Sequence, residues 1–255
     1  TIKIGGVITK IQKIMTKTIF IFLAQFSHYS DVLRSNLFPE LARDFKVIVF
    51  SPVLDSDAAR RDGYLQKDNV EYLKWSLKYP KFWMIMDKYL RVPFVREFDH
   101  LSYIQWFYKR PHGKKRRVLM ILGAILPKRL MTAGLFTWLE GKLAHPPEEF
   151  RKLVERYRPS LLVTATPGFT QFEAEAIIFA KQVGIKTVAI NLNYDNLTSN
   201  LKLMRKTDYL GVWNNLMKKE ALDLHHYPEE RVSVNGCLRF DHYFQSETNP
   251  IARNE

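Results

Sequence analysis

The chain has 255 residues, 46% of them hydrophobic and 13% aromatic, a composition that excludes intrinsic disorder and suffices for a sizeable core. A formal net charge of +13 implies attraction to something anionic: phosphate esters, nucleic acid or an acidic membrane face. The single cysteine, Cys237, excludes a disulfide framework within the chain and, without clustered histidines, a zinc site; it points to a reducing compartment.

The first strong element is residues 18–25, a continuous β-branched and aromatic run suited to a central parallel strand covered on both faces. The lysines before it give it a faint likeness to a signal peptide, but polar Ser27, His28 and Tyr29 follow with no small-residue cleavage pattern. Ser30 and Asp31 are placed to cap a helix carrying Val32, Leu33, Leu37 and Leu41 inward, which Pro39 should kink or restart. Strands are predicted at 45–50 and 70–75, completing a right-handed βαβ unit.

From about 77 to 145 the chain is rich in aromatic and basic residues and poor in strand signals. It reads as a helical insertion, with helices at 82–88, 94–108 and 129–144. Lys114, Lys115, Arg116 and Arg117 precede an apolar stretch at 118–127, a pattern that fits either a peripheral contact with an anionic membrane or a buried helix flanked by solvated charge. No run of about 18 uncharged apolar residues predicts a transmembrane helix.

The acidic Glu148 and Glu149 then start a helix reaching Arg156. Strands follow at 161–166, 186–191, 209–213 and 232–235, with helices at 171–183, stopped by Gly184, and at 215–225. The expected fold is α/β: a doubly wound, Rossmann-like parallel sheet of six or seven strands, one domain over 1–245 with its helical insertion.

In such a sheet ligands bind beyond the carboxyl ends of strands, where the strand order reverses. The insertion places that reversal between the first strand and the 161–166 strand. The loops expected to face each other there hold Ser27, His28 and Asp31 on one side, and Pro167, Gly168 and Phe169 on the other. Beside them lies the loop after the next strand, with Asn193, Asp195, Asn196, Thr198 and Ser199, denser in short polar side chains than a tight connection requires. Each piece alone has a plain structural reading as a helix cap, a turn or an Asx-turn; their joint placement points to a site. No G-x-G-x-x-G follows a strand, and no Walker motif, H-E-x-x-H or G-x-S-x-G occurs, so neither a cofactor nor a metal is expected.

Three segments carry a resemblance. They are Tyr194-Asp195-Asn196-Leu197-Thr198-Ser199, Asp208-Tyr209-Leu210-Gly211-Val212-Trp213-Asn214, and Val232-Ser233-Val234-Asn235-Gly236 followed by Phe240-Asp241. Over about 160–243 they resemble GT-B enzymes of bacterial surface-polysaccharide synthesis, related in pattern to CDP-glycerol glycerophosphotransferases. The pattern there runs roughly W-D-N-x-T-S-K, D-x-x-x-V-W-N and V-x-V-x-G-x-x-x-F-D; this chain has Tyr194 for the Trp and Asn200 for the Lys.

The resemblance implies the amino-terminal, acceptor-binding domain of a two-domain transferase. Residues 246–255 would begin a linker to a nucleotide-binding domain, and this part alone would be inactive. It implies a nucleotide-activated donor and a glycan or lipid-linked acceptor; with the single cysteine and the basic cluster, the expected location is cytoplasmic, peripheral at the inner face of the cell membrane. His28 or Asp31 would be the base, with Ser27, Pro167, Gly168, Phe169, Asn193, Asp195, Asn196, Thr198 and Ser199 around the substrates. Two other classes stay open: a sugar-nucleotide 2-epimerase half on the same architecture, and a basic nucleic-acid-binding domain. The second is disfavoured because the basic residues are not interleaved with aromatics in a nucleic-acid motif.

Overall fold

The computed structural model describes residues 17–76, 132–199 and 205–244. The expected helices at 82–88 and 94–108, the Lys114, Lys115, Arg116 and Arg117 cluster, and the 246–255 segment lie outside the described residues.

Seven strands form one sheet: β1 (Thr18–Phe22), β2 (Lys46–Ser51), β3 (Val70–Lys74), β4 (Pro159–Thr164), β5 (Lys186–Ile190), β6 (Tyr209–Val212) and β7 (Val232–Val234). Their order is β3-β2-β1-β4-β5-β6-β7 and every pairing is parallel. This is the doubly wound, Rossmann-like α/β arrangement expected from the sequence.

Alternation within the central strands explains why both faces bury. Ile19 and Ile21 of β1, with Val47 and Val49 of β2, enter one core together with Val163 of β4. Phe20 and Phe22, with Ile48, Phe50 and Leu162, enter the opposite core. Such strands have no solvent face, which is why they read as unbroken apolar runs.

The first core is roofed by α1 (Phe26–Leu33), α2 (Leu37–Asp44) and α3 (Ser56–Arg61) through Tyr29, Val32, Phe38, Ala42 and Ala59. The second is roofed by α5 (Glu148–Tyr157) and α6 (Gln171–Gln182). Before them, α4 (Ala133–Leu143) occupies part of the expected 129–144 helix. A third cluster joins β5, β6 and β7 to α7 (Asn196–Ser199) and α8 (Asn215–Asp223) through Leu197, Leu210, Met217 and Ala221.

Two expectations are corrected. Ser30 and Asp31 do not cap a helix: α1 begins at Phe26, behind an extended Gln25 that makes no side-chain cap bond. The stretch from Ser27 to Asp31, expected as a loop, is therefore helical. The restart expected at Pro39 is observed: Leu37 and Leu41 lie in a second helix, α2, which starts two residues before Pro39 and accommodates the proline in its first turn. The connection from β2 to β3 also holds α3, whose Asp55 carboxylate accepts the Ala58 N–H as its cap.

Candidate functional site

β1 is flanked by β2 on one side and β4 on the other, so the strand order reverses between β1 and β4. The segments leaving β1, β4 and β5 all emerge at the carboxyl edge of three adjacent parallel strands. The structure thus brings the three sequence-selected segments to one edge: Ser27, His28 and Asp31 on α1; Pro167, Gly168 and Phe169 after β4; and Asn193 to Ser199 after β5.

Within this crevice the side chains differ sharply in exposure. Ser27 and Asp195 are exposed, whereas His28, Asp31, Pro167, Gly168 and Asn196 are buried. Gly168 has φ +90, a backbone region that favours glycine, and an added Cβ would stand 3.3 Å from Ile177 Cδ1. Asn196 donates its amide to Asn191 Oδ1 at 3.1 Å, pinning the loop from inside. The Asp195 carbonyl, rather than its carboxylate, accepts the Thr198 N–H and hydroxyl.

His28 is buried between these segments. Its Nε2 lies 3.0 Å from the amide nitrogen of exposed Gln25, and its Nδ1 lies 3.5 Å from Glu173 Oε1. Burial lowers its pKa to about 4; the charge of Asp31 raises it and that of Arg239 lowers it.

Glu173 was not among the sequence-selected residues. It is fully buried in the first turn of α6 and accepts three bonds: the Thr166 N–H at 2.9 Å, the Thr166 hydroxyl at 2.6 Å and the Thr170 hydroxyl at 2.7 Å. Burial pushes its pKa up to about 7, against the pull of those donors. The Thr170-x-x-Glu173 spacing, which has the form of a capping box, is the signal that marks it. Thr170 does accept the Glu173 N–H, and the carboxylate reaches back to the Thr170 hydroxyl and on to Thr166.

Arg239 is the second residue that sequence reasoning missed. Its guanidinium holds both oxygens of Asp31, at 3.1 Å and 2.6 Å, and reaches Asn193 Oδ1 at 3.2 Å. Asp241 accepts the Asn36 N–H at 3.0 Å. The 3-10 segment Leu238–Phe244 is thereby fastened across the crevice, from α1 to the loop after β5. Nearby, the ring of Trp213 packs against Tyr194 (6.4 Å between centroids) and Phe240 (6.2 Å). One aromatic from each of the three motif segments therefore meets at this edge.

An apolar cleft of about 430 Å³ adjoins this edge, lined among others by Leu41, Val163, Val188, Ile190, Trp213 and Leu238. Among the described residues no three His, Cys, Asp or Glu side chains stand together as a metal site. No described helix is long and apolar enough to cross a membrane.

No protein-family model matches the chain, and no curated protein sequence matches it. Among solved structures the chain is similar to a UDP-N-acetylglucosamine 2-epimerase from Rickettsia bellii, at 10% identity and a TM-score of 0.46. The match covers 90% of this chain and 48% of that one, so this chain spans about half the length of the structure it matches.

Proposed function

We propose that this chain is the acceptor-binding half of a GT-B glycosyltransferase, or of a glycerophosphotransferase-like enzyme. Its acceptor is a cell-surface polysaccharide or lipid-linked glycan, and the nucleotide-activated donor is presented by a further domain. The observation that carries the reading is the convergence, at the strand-order reversal, of a buried imidazole with the loops after β4 and β5. The meeting of Tyr194, Trp213 and Phe240 adds to it, because it joins the three segments on which the family resemblance rests.

In this reading the acceptor hydroxyl lies against His28 Nε2. Its O–H bond breaks and an N–H bond forms on Nε2. The freed oxygen pair attacks the transferred group's electrophilic carbon or phosphorus, and the bond from that atom to the diphosphate breaks with its electrons leaving on the diphosphate. A pKa of about 4 keeps the imidazole unprotonated at neutral pH. Asp31 assists by its charge, which favours the imidazolium. The amino terminus of α1, with no acidic residue in its first turn, offers N–H groups and a positive dipole end to the departing diphosphate. Ser27, Gly168, Phe169, Asn193 and Asp195 border the acceptor, while Asn196 shapes their loop. Lys114, Lys115, Arg116 and Arg117 bring the chain to an anionic membrane face where a lipid-linked acceptor lies.

Titration of the ¹⁵N-labelled chain with bacterial surface oligosaccharides tests the reading. The backbone amides of Ser27, Gly168, Phe169, Asn193 and Asp195 should shift. Shifts confined to the apolar cleft, absence of shifts, or inversion of a UDP-sugar at its second carbon would each overturn it.

A further inference from the structure

We infer that Glu173 is the positioning residue of His28: its buried carboxylate holds the imidazole with the proton on Nδ1 and so presents the Nε2 lone pair toward Gln25, which occupies the place of the acceptor hydroxyl. The inference rests on the reading of His28 as the base and adds what makes it one.

The Gln25 contact on one edge of the ring sets the tautomer, and the Glu173 carboxylate faces the other edge. The Gln25 amide nitrogen can only donate, so Nε2 at 3.0 Å must be the unprotonated, accepting nitrogen. A neutral imidazole then carries its proton on Nδ1. That atom is buried, makes no hydrogen bond to another described group, and has Glu173 Oε1 as its ion-pair neighbour at 3.5 Å.

Glu173 itself is locked. Thr166 Oγ1 accepts the Phe169 N–H at 3.1 Å and Thr170 Oγ1 accepts the Glu173 N–H at 3.3 Å, so both hydroxyls are left to donate to the carboxylate. With the Thr166 N–H added, three donors orient the two oxygens, and Oε1 keeps a lone pair for Nδ1–H. When Nε2 takes the hydroxyl proton, Nδ1–H stays in place and the new imidazolium charge faces a carboxylate. Gln25 is exposed and joined to the site through Nε2, so an acceptor hydroxyl can displace its N–H donor for donor.

The test uses the full 255-residue chain with ¹⁵N-labelled histidine. Long-range ¹H–¹⁵N spectra at neutral pH identify His28 by the signal that His28→Gln removes. The expected result is the Nδ1–H tautomer in the unmodified chain and a shift toward the Nε2–H tautomer in Glu173→Gln. Gln25→Ala changes an exposed side chain; it should keep the Nδ1–H tautomer and speed modification of Nε2 by diethylpyrocarbonate several-fold. If Glu173→Gln fails to fold, the unmodified and Gln25→Ala spectra still decide. An Nε2–H tautomer in the unmodified chain overturns the inference, as does a tautomer that switches in Gln25→Ala. These spectra need no sugar, so an Nδ1–H tautomer in a chain that ignores every oligosaccharide would sink the transfer reading and leave Glu173 as the group that orients His28.

Discussion

Replacing His28 and Glu173 one at a time should tilt the pH dependence of stability in opposite directions. Folding lowers the His28 pKa from 6.5 to about 4, so in that window the unfolded chain binds more protons and acidification destabilises. Folding raises the Glu173 pKa from 4.5 to about 7, so in that window the folded chain holds the extra proton and acidification stabilises. In the unmodified chain the two slopes largely offset each other. Urea unfolding of Glu173→Gln at pH 7 and pH 4.5 should show a loss on acidification of about 1–3 kcal/mol. His28→Gln should show a gain of similar size, and parallel slopes in the two variants would contradict the pairing. Gly168→Ala should cost about 1–2 kcal/mol in the same measurement, because its φ of +90 suits no side chain and the Cβ meets Ile177 and Ala174. At this scale the sequence was partly legible. His28 and Gly168 follow from the switch-point rule, but Glu173 hides inside an apolar helical run and Arg239 acts on Asp31 from 208 residues away.

Among the elements, the joint between α1 and the Leu238–Phe244 segment is the one that spans the crevice. A double-mutant cycle of Asp31→Asn and Arg239→Ala should give a coupling of about 1–3 kcal/mol, since the carboxylate is buried and bound through two of its donors' nitrogens. Additivity within about 0.5 kcal/mol would show the joint to be incidental. The strands were readable because burial on both faces leaves an unbroken apolar signature, as in Thr18–Phe22. Helix starts were not. α1 opens behind Gln25 with no side-chain cap, so the chemically better caps Ser30 and Asp31 drew the boundary five or six residues too late. α3 went unseen because its six residues bury only Ala59 and show no apolar periodicity.

For the whole molecule, the net charge of +13 and the basic cluster lead to a solution test. Binding to vesicles containing anionic lipid should fall as salt rises, since exposed charges are screened over about 8 Å at physiological ionic strength. Changing Lys114, Lys115, Arg116 and Arg117 to Ser should weaken it further, and equal binding to neutral and anionic vesicles would dismiss the membrane contact. Architecture was legible at this scale because alternating strand and helix signals admit few topologies once right-handed crossovers are required. The apolar cleft was not, because the sequence shows that Leu161, Val188 and Ile190 are apolar but not that they line one cavity with Trp213 and Leu238.

The central place of β1 has a consequence for synthesis. β2 and β3 complete one flank of β1 early, but its other edge pairs with β4, which begins about 85 residues after β3 ends. At a ribosome speed of about 5–20 residues per second, that edge waits roughly 4–17 s for its partner. During the wait the most apolar strand of the sheet, Thr-Ile-Phe-Ile-Phe, presents unpaired backbone to any passing chain. Nascent chains stalled before Pro159 should therefore bind holdase chaperones and aggregate when these are depleted, and chains stalled well past Thr164 should be released from both fates.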